Sequence, residues 1–253
     1  MPNRTPPAKV IRQLRAEVGF GCPVPDCNSP YLTWHHFDPP WNVKQHHHPK
    51  GMVALCPIHH GQADAGIFTI EQLRGFKTAR NAAEIKARFG WMRQEIVAVV
   101  GGNYYHNVHV PLQVTGRPVI SFERDPDGYL LLNLNMLTVS DQPRLRVESN
   151  VWSRIGTPVD LECPPSGRKL RVRYENGDAL SLDFHTLESA VDFRNSYGVD
   201  FGWQDLAFPL ATLDINMEIA GRNLRLTPAQ TNVGGIVLQG VWMRGGAVGL
   251  AIG

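Results

Sequence analysis

Residues 52–64 read MVALCPIHHGQAD, and residues 32–41 read LTWHHFDPPW. Each stretch sets two adjacent histidines beside proline, and CPVPDC at 22–27 stands just upstream. The cysteines organise the region. Cys22-x4-Cys27 is followed by 28 residues and then Cys56-x2-His59. A short pair of this kind can grip one edge of a tetrahedral ion, and Zn²⁺ favours thiolate and imidazole donors. The prolines inside both pairs predict tight turns rather than core elements. Cys22, Cys27, Cys56 and His59 are therefore expected to hold a structural zinc. The segment from Cys22 to His60 has little regular periodicity, so bound metal would supply free energy that its own packing lacks.

Outward from that segment, Val10, Ile11, Leu14 and Val18 recur at helical spacing, which predicts a helix over 8–18 ended by Gly19 and Gly21. A second helix is expected from Thr69 to about Arg88. Thr69 and Gln72 form a capping box, and Ile70, Leu73 and Phe76 form its apolar stripe. Its Arg74, Lys77, Arg80, Lys86 and Arg88 would make a basic face. Residues 1–100 carry 12 Lys/Arg against 7 Asp/Glu, a net of +5, whereas the remainder carries 13 against 16, a net of −3. That asymmetry points the first hundred residues toward a polyanion.

After Asn103 the pattern turns to period two. HVPLQV, PVISFE, YLLLNLNMLTV, RLRVE, KLRVRY and ALSLDF read as strands, separated by the turn signals DPDG, PPSG and ENGD. TLESAVDFRNSYG reads as one interrupting helix, with Thr186 as cap and Gly198 as stop. WMRQEIVAVV at 91–100 reads as an apolar connector. The predicted class is α+β: a zinc-braced domain with flanking helices over 1–100, then a β-rich sandwich- or barrel-like domain over 103–253. With no apolar run of membrane length, and no signal-peptide core in MPNRTPPAKV, the expected setting is cytoplasmic, with no membrane partner.

Residues 20–66 resemble the His-Asn-His (HNH) endonucleases, whose ββα-metal motif is often braced by a zinc site. The corresponding text is CPVPDC, HHFDP and MVALCPIHH, in the family's order. The resemblance implies that His36 is the general base and that His35 and His60 bind a catalytic divalent metal (Mg²⁺, Mn²⁺, Ni²⁺ or Zn²⁺). Asp64, four residues after His60, can face the same ion from one helix face. It also implies hydrolysis of phosphodiester bonds in DNA, with RNA as a second candidate substrate. Restriction or antiphage defence would suit such an enzyme. Arg74, Lys77, Arg80 and Lys50 are the candidate phosphate contacts.

One departure stands out: the family's Asn, which pins the loop carrying the base, is Gly51 here. Asn42, or Pro39-Pro40 with Trp41, could hold that loop instead, or activity is reduced. QHHHPK at 45–50 reads first as solvated loop histidines and second as contacts to phosphate or an auxiliary ligand. Cys163 reads as a thiol of the second domain, and Asp183 with His185 as cross-strand surface residues. His106, His109, Tyr104 and Tyr105 could stack on bases, with core and rim aromatics the commoner reading of such residues. The β-rich domain would confer target choice, dimerisation or activation. Two other functions fit the same text: a zinc-knuckle module that binds nucleic acid without cutting it, and a ligand sensor with nuclease output.

Overall fold

The computed structural model describes residues 3–78, 85–154, 156–199 and 206–253. The architecture is mixed and mostly β, with four α-helices among the described residues. The chain divides into two compact units. One comprises 1–87 with 158–172, and the other 88–157 with 173–253. These limits differ from a boundary drawn at 100–103, because Val97–Val100 pairs within the second unit and a distant segment returns to the first.

The first unit begins with α1 (Ala8–Glu17), whose Leu14 is fully buried, as is Val18 just beyond it. Arg15, on the same helix and only 6% exposed, forks onto Asp160 with bonds of 2.8 and 2.9 Å. This ion pair ties the returning segment to α1, and a parallel bridge joins Tyr31 to Cys163. Cys163, assigned from sequence to the second domain, is thus buried in the first unit.

β1 (Thr33–His36) and β2 (Met52–Leu55) form a two-stranded antiparallel sheet, with Thr33 opposite Leu55 and His36 opposite Met52. α2 (Pro57–Asp64) follows at once. Cys56 is its N-cap and Pro57 its first residue, where proline's fixed φ suits a helix start and its missing N–H costs nothing. α3 (Ile70–Thr78) opens on the capping box read from the sequence. Thr69 N donates to Gln72 Oε1 at 2.8 Å, and Gln72 N donates to Thr69 Oγ1 at 3.2 Å. Leu14, Val18, all of β2 and Leu73 share one core. Truncating a residue such as Leu14 to alanine would cost about 2–5 kcal/mol.

The second helix does not reach Arg88. Lys86–Arg88 is a strand, because Ile85 and Phe89 are buried while Lys86 and Arg88 are exposed, a period of two. Arg80 lies outside the described residues.

The second unit is built on two sheets. In one, Ala179–Leu187 pairs antiparallel with Leu210–Glu218 over nine residues, and Val97–Val100 joins the latter in parallel. The expected apolar connector is therefore partly a strand, buried at all four positions. In the other, Val110–Val114, Arg117–Arg124 and Leu130–Asn135 run as a meander, with Val248–Ile252 parallel to the first. The interrupting helix is Ala190–Tyr197, capped by Ser189 rather than Thr186, which belongs to the preceding strand. Gly198 ends it at φ 66°, a left-handed conformation that glycine adopts without steric cost.

Asp178 is fully buried in this unit and receives Thr138 Oγ1, Arg144 Nε, Asn176 Nδ2 and Ala220 N at 2.6–3.0 Å. Burial alone would raise its pKa, but these four donors together hold the carboxyl below its ordinary range.

Candidate metal centres

Two clusters of potential metal ligands lie on the loop before β1, on β1 itself, and on α2 with its N-cap. In each, the ligand atoms all fall within 4.8 Å of one another. The first is Cys22, Cys27, Cys56 and His59. Cys27 Sγ stands 3.7 Å from Cys56 Sγ, and His59 Nδ1 stands 3.3 and 3.2 Å from the sulfurs of Cys22 and Cys56. Metal–sulfur and metal–nitrogen bonds of about 2.3 and 2.0 Å around zinc give tetrahedral edges near ~3.5–3.8 Å, close to these spacings. The cluster can hold a structural metal ion. Burial pushes the Cys22 thiol up to about 12 and the Cys27 thiol upward, so bare thiolates would be costly here without a cation. The His59 amide reaches back to Cys56 Sγ at 3.5 Å, which orients that sulfur at the helix start.

The second cluster is His35, His60 and Asp64. His35 Nδ1 lies 3.2 Å from Asp64 Oδ1, and His60 Nε2 lies 3.6 Å from Asp64 Oδ2. His60 Nε2 is buried without a hydrogen-bond partner, as a lone pair aimed at an ion would be. His35 Nδ1 is close enough to the Asp64 carboxylate for it to favour protonation, against the larger effect of burial. Burial lowers the pKa of both histidines, which keeps them neutral and able to ligate near pH 7.

The doubled histidine of α2 thus splits between two sites: His59 faces the thiolates and His60 faces Asp64. Thr33 sets the second ring. Its hydroxyl donates to the Leu55 carbonyl at 3.0 Å and so accepts from His60 Nδ1–H at 2.8 Å, leaving Nε2 free.

His36, next on β1, is 4% exposed. Its ring lies between Trp41, His46 and His47, with centroids at 4.8, 5.4 and 5.7 Å. Burial, with the neighbouring His46 and His47, pushes its pKa down to about 4. Neither ring nitrogen makes a well-formed hydrogen bond, although the His46 carbonyl is near enough to favour protonation slightly. His36, His35 and Asp64 open on one depression of about 510 Å³, walled by Phe37, Trp41 and Phe68. Arg4 lines it too, and its charge opposes protonation of His35, His36 and His60 alike.

The other sequence candidates are placed differently. Lys77 is 14% exposed, pairs with Glu17, and donates to the carbonyls of Pro49 and Met52 at 2.7 and 3.0 Å. It fastens α3 to the scaffold and has no donor to spare for phosphate. Arg74 is half-exposed and pairs with Asp38, and Lys50 is exposed in the turn before β2. His46, read as a solvated loop residue, is buried, and the alternative loop-holder Asn42 is exposed.

Three contributors escaped the sequence. Thr33 could have been found from its position opposite Leu55 in the hairpin. Arg4 carried no pattern, and His46 stood within QHHHPK but was read there as solvated. Comparisons with protein-family models, curated proteins and solved structures find no match. Among the described residues, no helix is long and apolar enough to cross a membrane.

Proposed function

We propose that this chain is a metal-dependent endonuclease of the HNH type that hydrolyses phosphodiester bonds in DNA. The observation that carries the reading is the single depression onto which His36, His35 and Asp64 all open, with Arg4 at the same surface. The succession of an antiparallel β1–β2 pair and α2, braced by a Cys₃His cluster, supports it.

His35, His60 and Asp64 would hold a divalent cation, which when bound stabilises the charge developing on the phosphate and on the leaving oxygen. His36 is neutral near pH 7 and takes a proton from the attacking water. The water oxygen forms the new P–O bond. The opposite ester P–O bond breaks, and its electron pair leaves on the sugar oxygen, which is then protonated from solvent. Arg4 draws the anionic backbone into the depression and offsets the phosphate charge. The β-rich unit would govern target choice or activation, because phosphate contacts carry little base information.

The test is cleavage of plasmid, linear DNA and RNA with Mg²⁺, Mn²⁺, Ni²⁺ and Zn²⁺ in turn. The expected result is metal-dependent nicking of DNA that falls roughly 10²–10⁴-fold in His36→Ala while DNA binding persists. Absence of cleavage with every ion would retire the reading and leave a zinc-braced binding module, whereas wild-type rates in His36→Ala would overturn the assignment of His36 as the base.

A further inference from the structure

His46 sits ten residues beyond His36 in sequence, yet it is 6% exposed and its ring forms one wall of the His36 site. Its two nitrogens are both committed to the loop between β1 and β2. Nδ1 accepts from the His48 amide at 3.1 Å, so the proton belongs on Nε2, which donates to the Pro39 carbonyl at 2.9 Å. Pro39 lies in the turn that leaves His36 and leads to Trp41. Trp41 in turn packs on His36 at 4.8 Å and stacks on His47 at 5.2 Å.

Gly51 completes the arrangement from the other side. Its carbonyl accepts the amides of Phe37 at 2.9 Å and Asp38 at 3.2 Å. A methyl group at Gly51 would stand 1.9 Å from the Asp38 carbonyl oxygen and 3.0 Å from His46 Cε1. No side chain fits there, so the residue that fastens the loop has to reach in from elsewhere.

On the endonuclease reading above, we infer that His46 is the positioning residue of the site: its Nε2–H holds the Pro39 turn, and through Trp41 that turn fixes the His36 ring. His36 has no well-formed hydrogen bond of its own to set its orientation. Packing against this fastened wall is what orients it. A displacement of about 1 Å at a reacting group can cost on the order of 100-fold in rate.

The two bonds of His46 can be separated by substitution. Glutamine places an N–H donor near the Nε2 position and can keep the Pro39 bond. Asparagine places its oxygen near the Nδ1 position and can keep only the His48 bond. The experiment compares His46→Gln, His46→Asn, His46→Ala and wild type for plasmid cleavage under saturating Mn²⁺. Thermal melting and the NMR signals of the ¹⁵N-labelled His36 ring are measured on the same full-length proteins.

The expected result is near-wild-type kcat in His46→Gln and a loss of about 100-fold in both His46→Asn and His46→Ala, with KM little changed. The His36 ring signal should be sharp in wild type and His46→Gln, and broadened by exchange in the other two. Wild-type kcat in His46→Asn, or His46→Gln as slow as His46→Ala while melting like wild type, would overturn the inference. If wild type itself cuts nothing, the endonuclease reading fails, and the ring signals alone decide the fastening: equal order in all four proteins refutes it.

Discussion

Thr33 offers the most direct test of how the second cluster of candidate ligands is built. Thr33→Val keeps the shape of the side chain and removes only the hydroxyl. Two contacts go with it: the donor to the Leu55 carbonyl at 3.0 Å and the acceptor for His60 Nδ1–H at 2.8 Å. The second contact fixes the tautomer that turns the Nε2 lone pair toward Asp64, 3.6 Å away. Losing an outer partner of a ligating histidine typically weakens metal binding 10–100-fold, which is about 1.4–2.8 kcal/mol. The folded chain should also lose about 1–3 kcal/mol, since a buried carbonyl and a ring N–H are left without their partner.

Mn²⁺ titration followed by its EPR signal suits the measurement, because Mn²⁺ prefers oxygen and imidazole donors and leaves a thiolate-rich site to zinc. The protein should start with about one zinc per chain. Thr33→Val is expected to raise the Mn²⁺ dissociation constant 10–100-fold with its zinc content unchanged, and Thr33→Ser to behave like wild type. Equal Mn²⁺ affinity in wild type and Thr33→Val would refute the assignment of His60 Nε2 as a ligand held in place by Thr33.

Four further outcomes follow from the same geometry. Cys56→Ser should remove the tightly held metal and unfold the segment from 20 to 66, since structural zinc contributes on the order of 10 kcal/mol in small modules; metal analysis and hydrogen exchange check this. Arg4→Ala should slow cleavage about 10²-fold yet tighten Mn²⁺ binding, because the charge that opposes protonation of His35 and His60 also opposes a dication. Lys77→Met should cost about 2–3 kcal/mol in denaturant unfolding, through loss of its charged hydrogen bonds, whereas Arg74→Ala at the half-exposed pair should cost under about 1 kcal/mol. Asp178 is held below its ordinary range, so its contribution is present above an unfolded pKa of about 3.9 and lost as pH falls through the lower folded value; Asp178→Asn should be less stable at pH 7, with a flatter loss in acid.

What the sequence made legible followed from local rules. The Cys and His spacing located the Cys₃His cluster, because two short ligand pairs can each grip one edge of the same ion, whereas His35, His60 and Asp64 were pointed to by the resemblance to the HNH text. The capping box located the start of α3, since both of its bonds join residues three apart. The end of that helix was misread because the basic residues were placed on a helical period. The decisive signal was the alternation of Ile85 and Phe89 with Lys86 and Arg88.

Other features rest on contacts that no local pattern encodes. Arg15 finds Asp160 across 145 residues, and that pairing brings 158–172 into the first unit. The Gly51 position shows the same limit at shorter range. By comparison with the HNH text, glycine there leaves the loop to be held by Asn42, by Pro39-Pro40 with Trp41, or less well. In three dimensions, the Asp38 carbonyl already fills the space where its side chain would stand, and the His46 ring crowds the same space while holding Pro39. The two positions should therefore be coupled. Gly51→Asn alone must displace Asp38 and should slow cleavage, whereas Gly51→Asn with His46→Ala relieves the crowding at the His46 ring but not at the carbonyl. If the double variant regained wild-type cleavage, asparagine at 51 could hold the loop after all, and the glycine would be an accident of sequence rather than a requirement of this backbone.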